Sequence, residues 1–159
     1  MKSARDVVTK RLRLELDDYL PYLINRVGAA MVARFTAEAL VRRGLSIAMW
    51  RVLAALSVNG EQRQIDLAEL TSTDVSTLSR LVTRLVRMGL ASRVRSTSDN
   101  REVTVELTAK GRALVDRLIP VARALETTAT EGLAEAELAA LKRALGRIHD
   151  NLAAPRRGS

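Results

Sequence analysis

The chain has 159 residues, enough for one domain with a substantial core, and carries a net charge of +8 with 22 arginines among its 26 basic residues. That balance favours anionic, phosphate-rich partners, although charge alone does not separate nucleic acid from a membrane surface. The absence of cysteine excludes a disulfide framework, a zinc–thiolate site and a thiol redox switch.

In residues 1–16, Leu12, Leu14 and Leu16 alternate with Arg11, Arg13 and Glu15, the pattern of an extended arm able to lie across a partner subunit. A frayed lead-in to the first helix explains it equally well. No signal-peptide run is present and no stretch reaches the ~18 apolar residues of a membrane span, so a cytoplasmic protein without a membrane partner is expected. Asp17 or Asp18 is suited to cap a first helix that tolerates Pro21 in its opening turn. It carries Leu20, Leu23, Ile24, Val27, Ala30, Met31 and Phe35 at helical spacing and ends near Arg43-Gly44. Ser46 caps a second helix to about Val58, Asn59-Gly60 turns the chain, and a short third helix runs from Asp66 to about Leu70 before the Thr71-Ser72-Thr73 corner.

Residues 74–108 organise the rest. From Asp74 to Met88, Leu78, Leu81, Val82 and Leu85 follow the i, i+3, i+4, i+7 spacing of one buried face. Ser76, Arg80, Thr83 and Arg87 fall opposite it, with Ser79 and Arg84 at the edges. Asp74 caps this helix and Gly89 ends it. A strand from Leu90 to Arg95 turns Val94 inward and Arg93 and Arg95 outward. Residues 96–101 are turn chemistry, and a second strand from Glu102 to Leu107 alternates Val103, Val105 and Leu107 with polar partners. Between Val75 and Arg101 stand six arginines and one acid, Asp99. A helix with hydroxyls and arginines on its outer face suits the major groove of double-stranded DNA, and an arginine-tipped hairpin suits the minor groove. A solvated basic face beside an ordinary hairpin is the plain alternative.

Thr108 opens a fifth helix with Leu114, Val115, Leu118, Ile119, Ala122 and Leu125 inward, and Pro120 should kink it. In the last helix Leu138, Leu141, Leu145, Ile148 and Leu152 are spaced 3, 4, 3, 4, a narrow two-stranded packing seam that points to a homodimer. No catalytic constellation, metal-ligand spacing or phosphate loop is visible, and the lone His149 reads as a helix-end histidine, so neither an enzyme nor a cofactor is expected.

Asp99-Asn100-Arg101 followed by Leu107-Thr108-Ala109-Lys110-Gly111 resembles the wing signature of the MarR family of transcription regulators. Leu45 to Leu53 resembles that family's second helix, and Leu78 to Leu90 its recognition helix and exit. The resemblance runs from roughly Asp17 to Leu152. Met49, Thr71, Thr73 and Ala134 depart from it, and the threonines bear on how tightly the helix-turn-helix corner packs. It implies a mainly α fold with a small β-hairpin wing: a winged helix-turn-helix lobe over 45–108, dimerisation helices over 1–44 and 109–155, and a disordered tail over 156–159. DNA contacts then fall to Ser76, Thr77, Ser79, Arg80, Thr83, Arg84, Arg93, Arg95 and Arg101, with Asp74 and Asp99 bracing the wing. Family members commonly take small aromatic anions in a cleft between the first two helices and the DNA-binding lobe. Tyr22, Asn25, Arg26, Trp50 and Arg51 are the matching effector candidates, for an aromatic acid or its acyl-coenzyme A thioester. Arg34, Arg42 and Arg43 suit a longer anionic ligand or are simply solvated. The expected function is a homodimeric repressor released from its operator by a small anionic effector. Alternatives are an architectural DNA-binding protein without effector control and a module that docks its basic face on a membrane.

Overall fold

The computed structural model describes residues 14–95 and 103–153. Leu16–Asp18 forms a single 3-10 turn, and α1 (Leu20–Phe35) follows with Tyr19 at its N-cap and Pro21 in its first turn. The aspartate cap expected from sequence is corrected: both acids lie in the preceding turn, and no side chain bonds the free N–H groups of α1. The helical path then loosens into a π turn over Thr36–Leu40 and tightens into a 3-10 turn over Val41–Arg43. It closes at Gly44, where φ is +65° and the Leu45 N–H returns to the Leu40 carbonyl at 3.2 Å. That left-handed closure is the usual reason for a glycine at a helix end.

Ser46 caps α2 (Ile47–Asn59), its hydroxyl accepting the Met49 N–H at 3.2 Å. Two residues, Gln62–Arg63, make β1, which was not expected because so short a strand shows no alternation. Helix α3 (Gln64–Leu70) begins two residues before Asp66, whose carboxylate is instead gripped by Arg63 through bonds of 2.7 and 2.8 Å. At the corner Thr71 is buried yet satisfied, donating its hydroxyl to the Leu67 carbonyl at 2.6 Å, so the threonine packs in an apolar place without an orphan group. Ser72 takes φ +51°, the one left-handed non-glycine residue among those described.

Helix α4 (Val75–Arg87) leads into β2 (Ala91–Arg95), which pairs antiparallel with β3 (Val103–Leu107) in the register Ala91↔Leu107 to Arg95↔Val103. With β1 on the far side of β3, the sheet order is β1-β3-β2. Val105 and Leu107 are buried as expected, whereas Val103 is exposed because it lies at the outer end of the hairpin, beyond the core. Asp99, Arg101 and the turn between the strands fall outside the described residues, as does the tail over 156–159. Helix α5 (Ala109–Ala129) runs unbroken through Pro120. Helix α6 (Glu135–Ala153) starts where Glu137 accepts the Ala134 N–H at 2.7 Å, supplying from the first turn the cap that Ala134 lacks.

The core joins α2, α3, α4 and the sheet to α5 and the end of α1. Met49, Val52 and Leu53 of α2 meet Leu78, Val82 and Leu85 of α4, all fully buried. Each such side chain contributes about 1.5–3 kcal/mol on burial, and together they seat α4 on the lobe. By contrast α6 buries no residue, and Leu20, Leu23, Ile24 and Val27 of α1 stay exposed. No helix among the described residues is long and apolar enough to cross a membrane.

Candidate nucleic-acid interface

Asp74 sets the start of α4. Its Oδ1 accepts the Thr77 N–H at 2.8 Å and the Ser76 hydroxyl at 2.7 Å. The Ser76 and Thr77 hydrogen bonds hold this carboxyl well below the usual carboxylate range. A depressed folded-state pKa means that the ionised cap stabilises fully above the unfolded value of about 4 and is lost as pH falls below it. Asp74→Asn keeps an acceptor for the Thr77 N–H and should leave α4 formed at about pH 7 while removing this acid-linked loss. Thermal melting of both proteins from about pH 7 to pH 3 checks it: the wild type should fall toward the variant, and parallel curves would refute the cap's titration.

On the outer face Arg80, Arg84 and Arg87 are exposed, and with Ser79 and Thr83 they line a shallow groove of about 350 Å³. Arg93 of β2 reaches back to Thr83, its Nη2 donating to the hydroxyl at 2.8 Å, so strand and helix share one face. Arg80 leans on the Thr77 hydroxyl at 3.4 Å, and Arg84 Nη2 donates to the Gly44 carbonyl at 3.3 Å. Arg95 is exposed at the outer end of β2, and Ser76 is exposed at the start of the helix. Eight of the nine expected DNA contacts, all but Arg101, are therefore in described positions along α4 and β2.

The far end of α4 is fixed by the start of α5. Thr108 donates its hydroxyl to the Gly89 carbonyl at 2.7 Å and accepts the Gly111 N–H at 3.0 Å. Lys110 Nζ donates to the Met88 carbonyl at 2.9 Å, a cation at the negative end of the helix. Gly111 is pressed so closely on Leu90 that a Cβ there would lie 1.9 Å from its carbonyl oxygen.

Two clefts flank Trp50. Between α1, α2 and α5, an apolar cleft of about 180 Å³ is lined by Met31, Val32, Phe35, Ile47, Trp50, Ala122 and Leu125. Trp50 meets Phe35 there with ring centroids 5.4 Å apart. On the other side of Trp50, an open groove of about 660 Å³ is lined by Arg51, Ala54, Ala55, Val58 and the corner Leu70–Ser72. Trp50 and Arg51 thus come together. Arg26 lies elsewhere on α1, 3.8 Å from Asp17 with both side chains exposed, and Tyr22 and Asn25 line neither cleft.

The MarR family model matches residues 45–103, which span α2, the corner, α4 and β2 and reach the first residue of β3. IacR, an HTH-type transcriptional repressor of Pseudomonas putida, is 32% identical over 108 residues, covering 68% of this chain and just under two thirds, 65%, of IacR. Rv2887, an HTH-type transcriptional repressor of Mycobacterium tuberculosis, is 30% identical over 132 residues, covering 83% of this chain and 94% of Rv2887. The chain belongs to the MarR family. Among solved structures, BpsR of Bordetella bronchiseptica, whose DNA binding is regulated by 6-hydroxynicotinic acid, has a TM-score of 0.78 at 28% identity, covering 87% of this chain and 99% of BpsR. A cysteine-to-serine mutant of MarR from E. coli, complexed with operator DNA, has a TM-score of 0.72 at 28% identity, covering 81% of this chain and 92% of that one.

For this MarR-family chain, the Leu107-Thr108 to Gly111 signature gains a physical meaning in the joint between α4 and α5. Lys110 was missed as a site residue because its partner, Met88, lies 22 residues away and belongs to no recognisable pattern. The Arg84–Gly44 contact was invisible for the same reason, joining residues 40 positions apart.

Proposed function

We propose that the protein is a homodimeric transcription regulator of the repressor type, which reads a pseudo-palindromic operator and is released by a small anionic effector. The observation that carries this is the face of α4 and β2, where arginines and hydroxyls stand together without an acid between Val75 and Ser98. The lobe over 45–108 binds DNA, and the helices over 1–44 and 109–155 hold two copies at a fixed spacing. Arg80, Ser76 and Ser79 read base edges, Arg84, Arg93 and Arg95 hold phosphates, and Arg101 enters the minor groove. Selection from random duplexes followed by salt titration tests it. Arg80→Ala should cost about 1–3 kcal/mol and relax specificity at one position, whereas Arg93→Ala should weaken all sequences alike. Unchanged sequence preference in Arg80→Ala would remove α4 as the reader.

The effector is an aromatic carboxylate or its coenzyme A thioester, seated beside Trp50. Release requires that it favour the dimer shape whose two α4 helices miss successive major grooves, since a ligand of equal affinity for both shapes shifts nothing. Operator DNA must then lower effector affinity by the same factor. Two guanidiniums compete for the carboxylate: Arg26 on α1, and Arg51, which shares a groove with Trp50. A thermal-shift screen of aromatic acids, with Arg26→Ala and Arg51→Ala in parallel, assigns the role to the variant that loses the response while keeping DNA binding. No stabilisation by any such acid or thioester would remove the effector from the proposal.

A further inference from the structure

Helix α4 does not present its basic face alone. The Arg84 guanidinium that borders its outer groove also donates to the Gly44 carbonyl, which brings the junction between α1 and α2 alongside that groove. Immediately before Gly44 stand Arg42 and Arg43, both exposed. Arg43 is partly committed, its Nη1 donating to the Ala39 carbonyl at 2.5 Å. Arg42 has no hydrogen-bond or acidic partner among the described residues, whereas Arg34 is neutralised by Glu38 at 2.7 Å. The two segments that meet at this contact are both free of acids, from Ala39 to Gly60 and from Val75 to Ser98. Two positively charged segments, neither carrying a carboxylate, therefore meet at the Arg84–Gly44 contact.

We propose that the Arg42–Arg43 junction is a second DNA-backbone contact, gripping phosphates on the strand that borders the major groove entered by α4. It rests on the reading of α4 as the DNA-binding helix and adds to it a clamp on a different element. The chemistry fits a phosphate row better than a base edge. Arginines on the turn that closes a helix are held by backbone at one end and solvated at the other, which gives charge without a fixed reading geometry. Contacts of this kind bind every sequence alike and release counterions.

The test is a salt titration of operator affinity for the unmodified protein, Arg42→Gln, the double variant Arg42→Gln/Arg43→Gln, and Arg34→Gln as a control on the same helical path. Arg42→Gln should lower the slope of log affinity against log salt by about one per subunit, and the double variant by about two, with sequence preference unchanged. Arg34→Gln should leave the slope as it was, and thermal melting confirms that each variant is folded. An unchanged slope in Arg42→Gln overturns the proposal, as does an equal loss in Arg34→Gln, which would mark a general effect of net charge. If Arg42→Gln keeps the slope but loses binding of coenzyme A itself, the junction belongs to a nucleotide-bearing ligand instead. Absence of salt-dependent duplex binding by the unmodified protein would remove the DNA reading, and this clamp with it.

Discussion

Gly111→Ala should lower the melting temperature by roughly 6–12 °C and abolish operator binding at concentrations where the wild type is saturated. The new Cβ would lie 1.9 Å from the Leu90 carbonyl oxygen and 2.9 Å from its carbonyl carbon, and both are backbone atoms that no rotamer change can move aside. Overpacking typically costs about 1–3 kcal/mol, and a clash with backbone belongs at the upper end. For a chain of this size, each kcal/mol lowers the melting temperature by about 2–4 °C. The loss of binding has a separate cause. To admit the methyl group, α5 must move away from the end of α4, which breaks the Thr108–Gly89 and Lys110–Met88 bonds that orient the helix. Gly146→Ala is the control: nothing lies within 4 Å of its Cβ, and removing a helical glycine should stabilise by about 0.5–1 kcal/mol. A Gly111→Ala protein that melts and binds like wild type would show that the joint between α4 and α5 is not rigid.

The parts of this fold legible in the sequence are those set by local chemistry. Ser46, Asp74 and Thr108 each bond the N–H three residues on, and capping residues reveal themselves without tertiary context. Gly44 and Gly89 end their helices at positive φ for reasons equally local. The stripe of Leu78, Val82 and Leu85 names a buried face because 3.6-residue periodicity is a property of the segment itself. Sequence fails where the answer depends on a neighbour. Asp17 and Asp18 are good capping residues, but the chain turns before α1 begins. Val103 alternates correctly and is still exposed, since nothing described packs beyond the hairpin's outer end. Arg26 and Trp50 both suit an anionic ligand, yet helical spacing says which face a residue occupies and not what stands opposite. The chain therefore sets Trp50 against Phe35 and Arg51 while Arg26 meets Asp17.

Leu145→Asp should convert the proposed dimer to a folded monomer. The motive is the contrast between a regular apolar seam and its burial. Leu138, Leu141, Leu145, Ile148 and Leu152 recur at 3-4-3-4 spacing, yet none is buried, and Leu152 is 82% exposed. The exposed Leu20, Leu23, Ile24 and Val27 of α1 add a second apolar strip of the same kind. Patches of that character mark a surface that another molecule covers. Within one chain, the Lys142–Glu126 ion pair of 2.6 Å ties α6 to α5 while α6 buries no residue, and in the proposed dimer its seam faces a second copy. Because a two-fold interface repeats every contact, the substitution enters twice. Burying an unpaired carboxylate costs about 3–5 kcal/mol, and two copies correspond to a loss of roughly four orders of magnitude or more in dimer affinity. The core has no α6 residue in it, so helical content should persist while sedimentation reports half the mass. Leu145→Ala should give the graded result, a dimer that dissociates on dilution. Operator affinity should fall in step with dimer content, because each monomer then reaches only one half-site. A Leu145→Asp protein that remains a dimer of normal mass would place the interface elsewhere, and the seam on α6 would need another occupant.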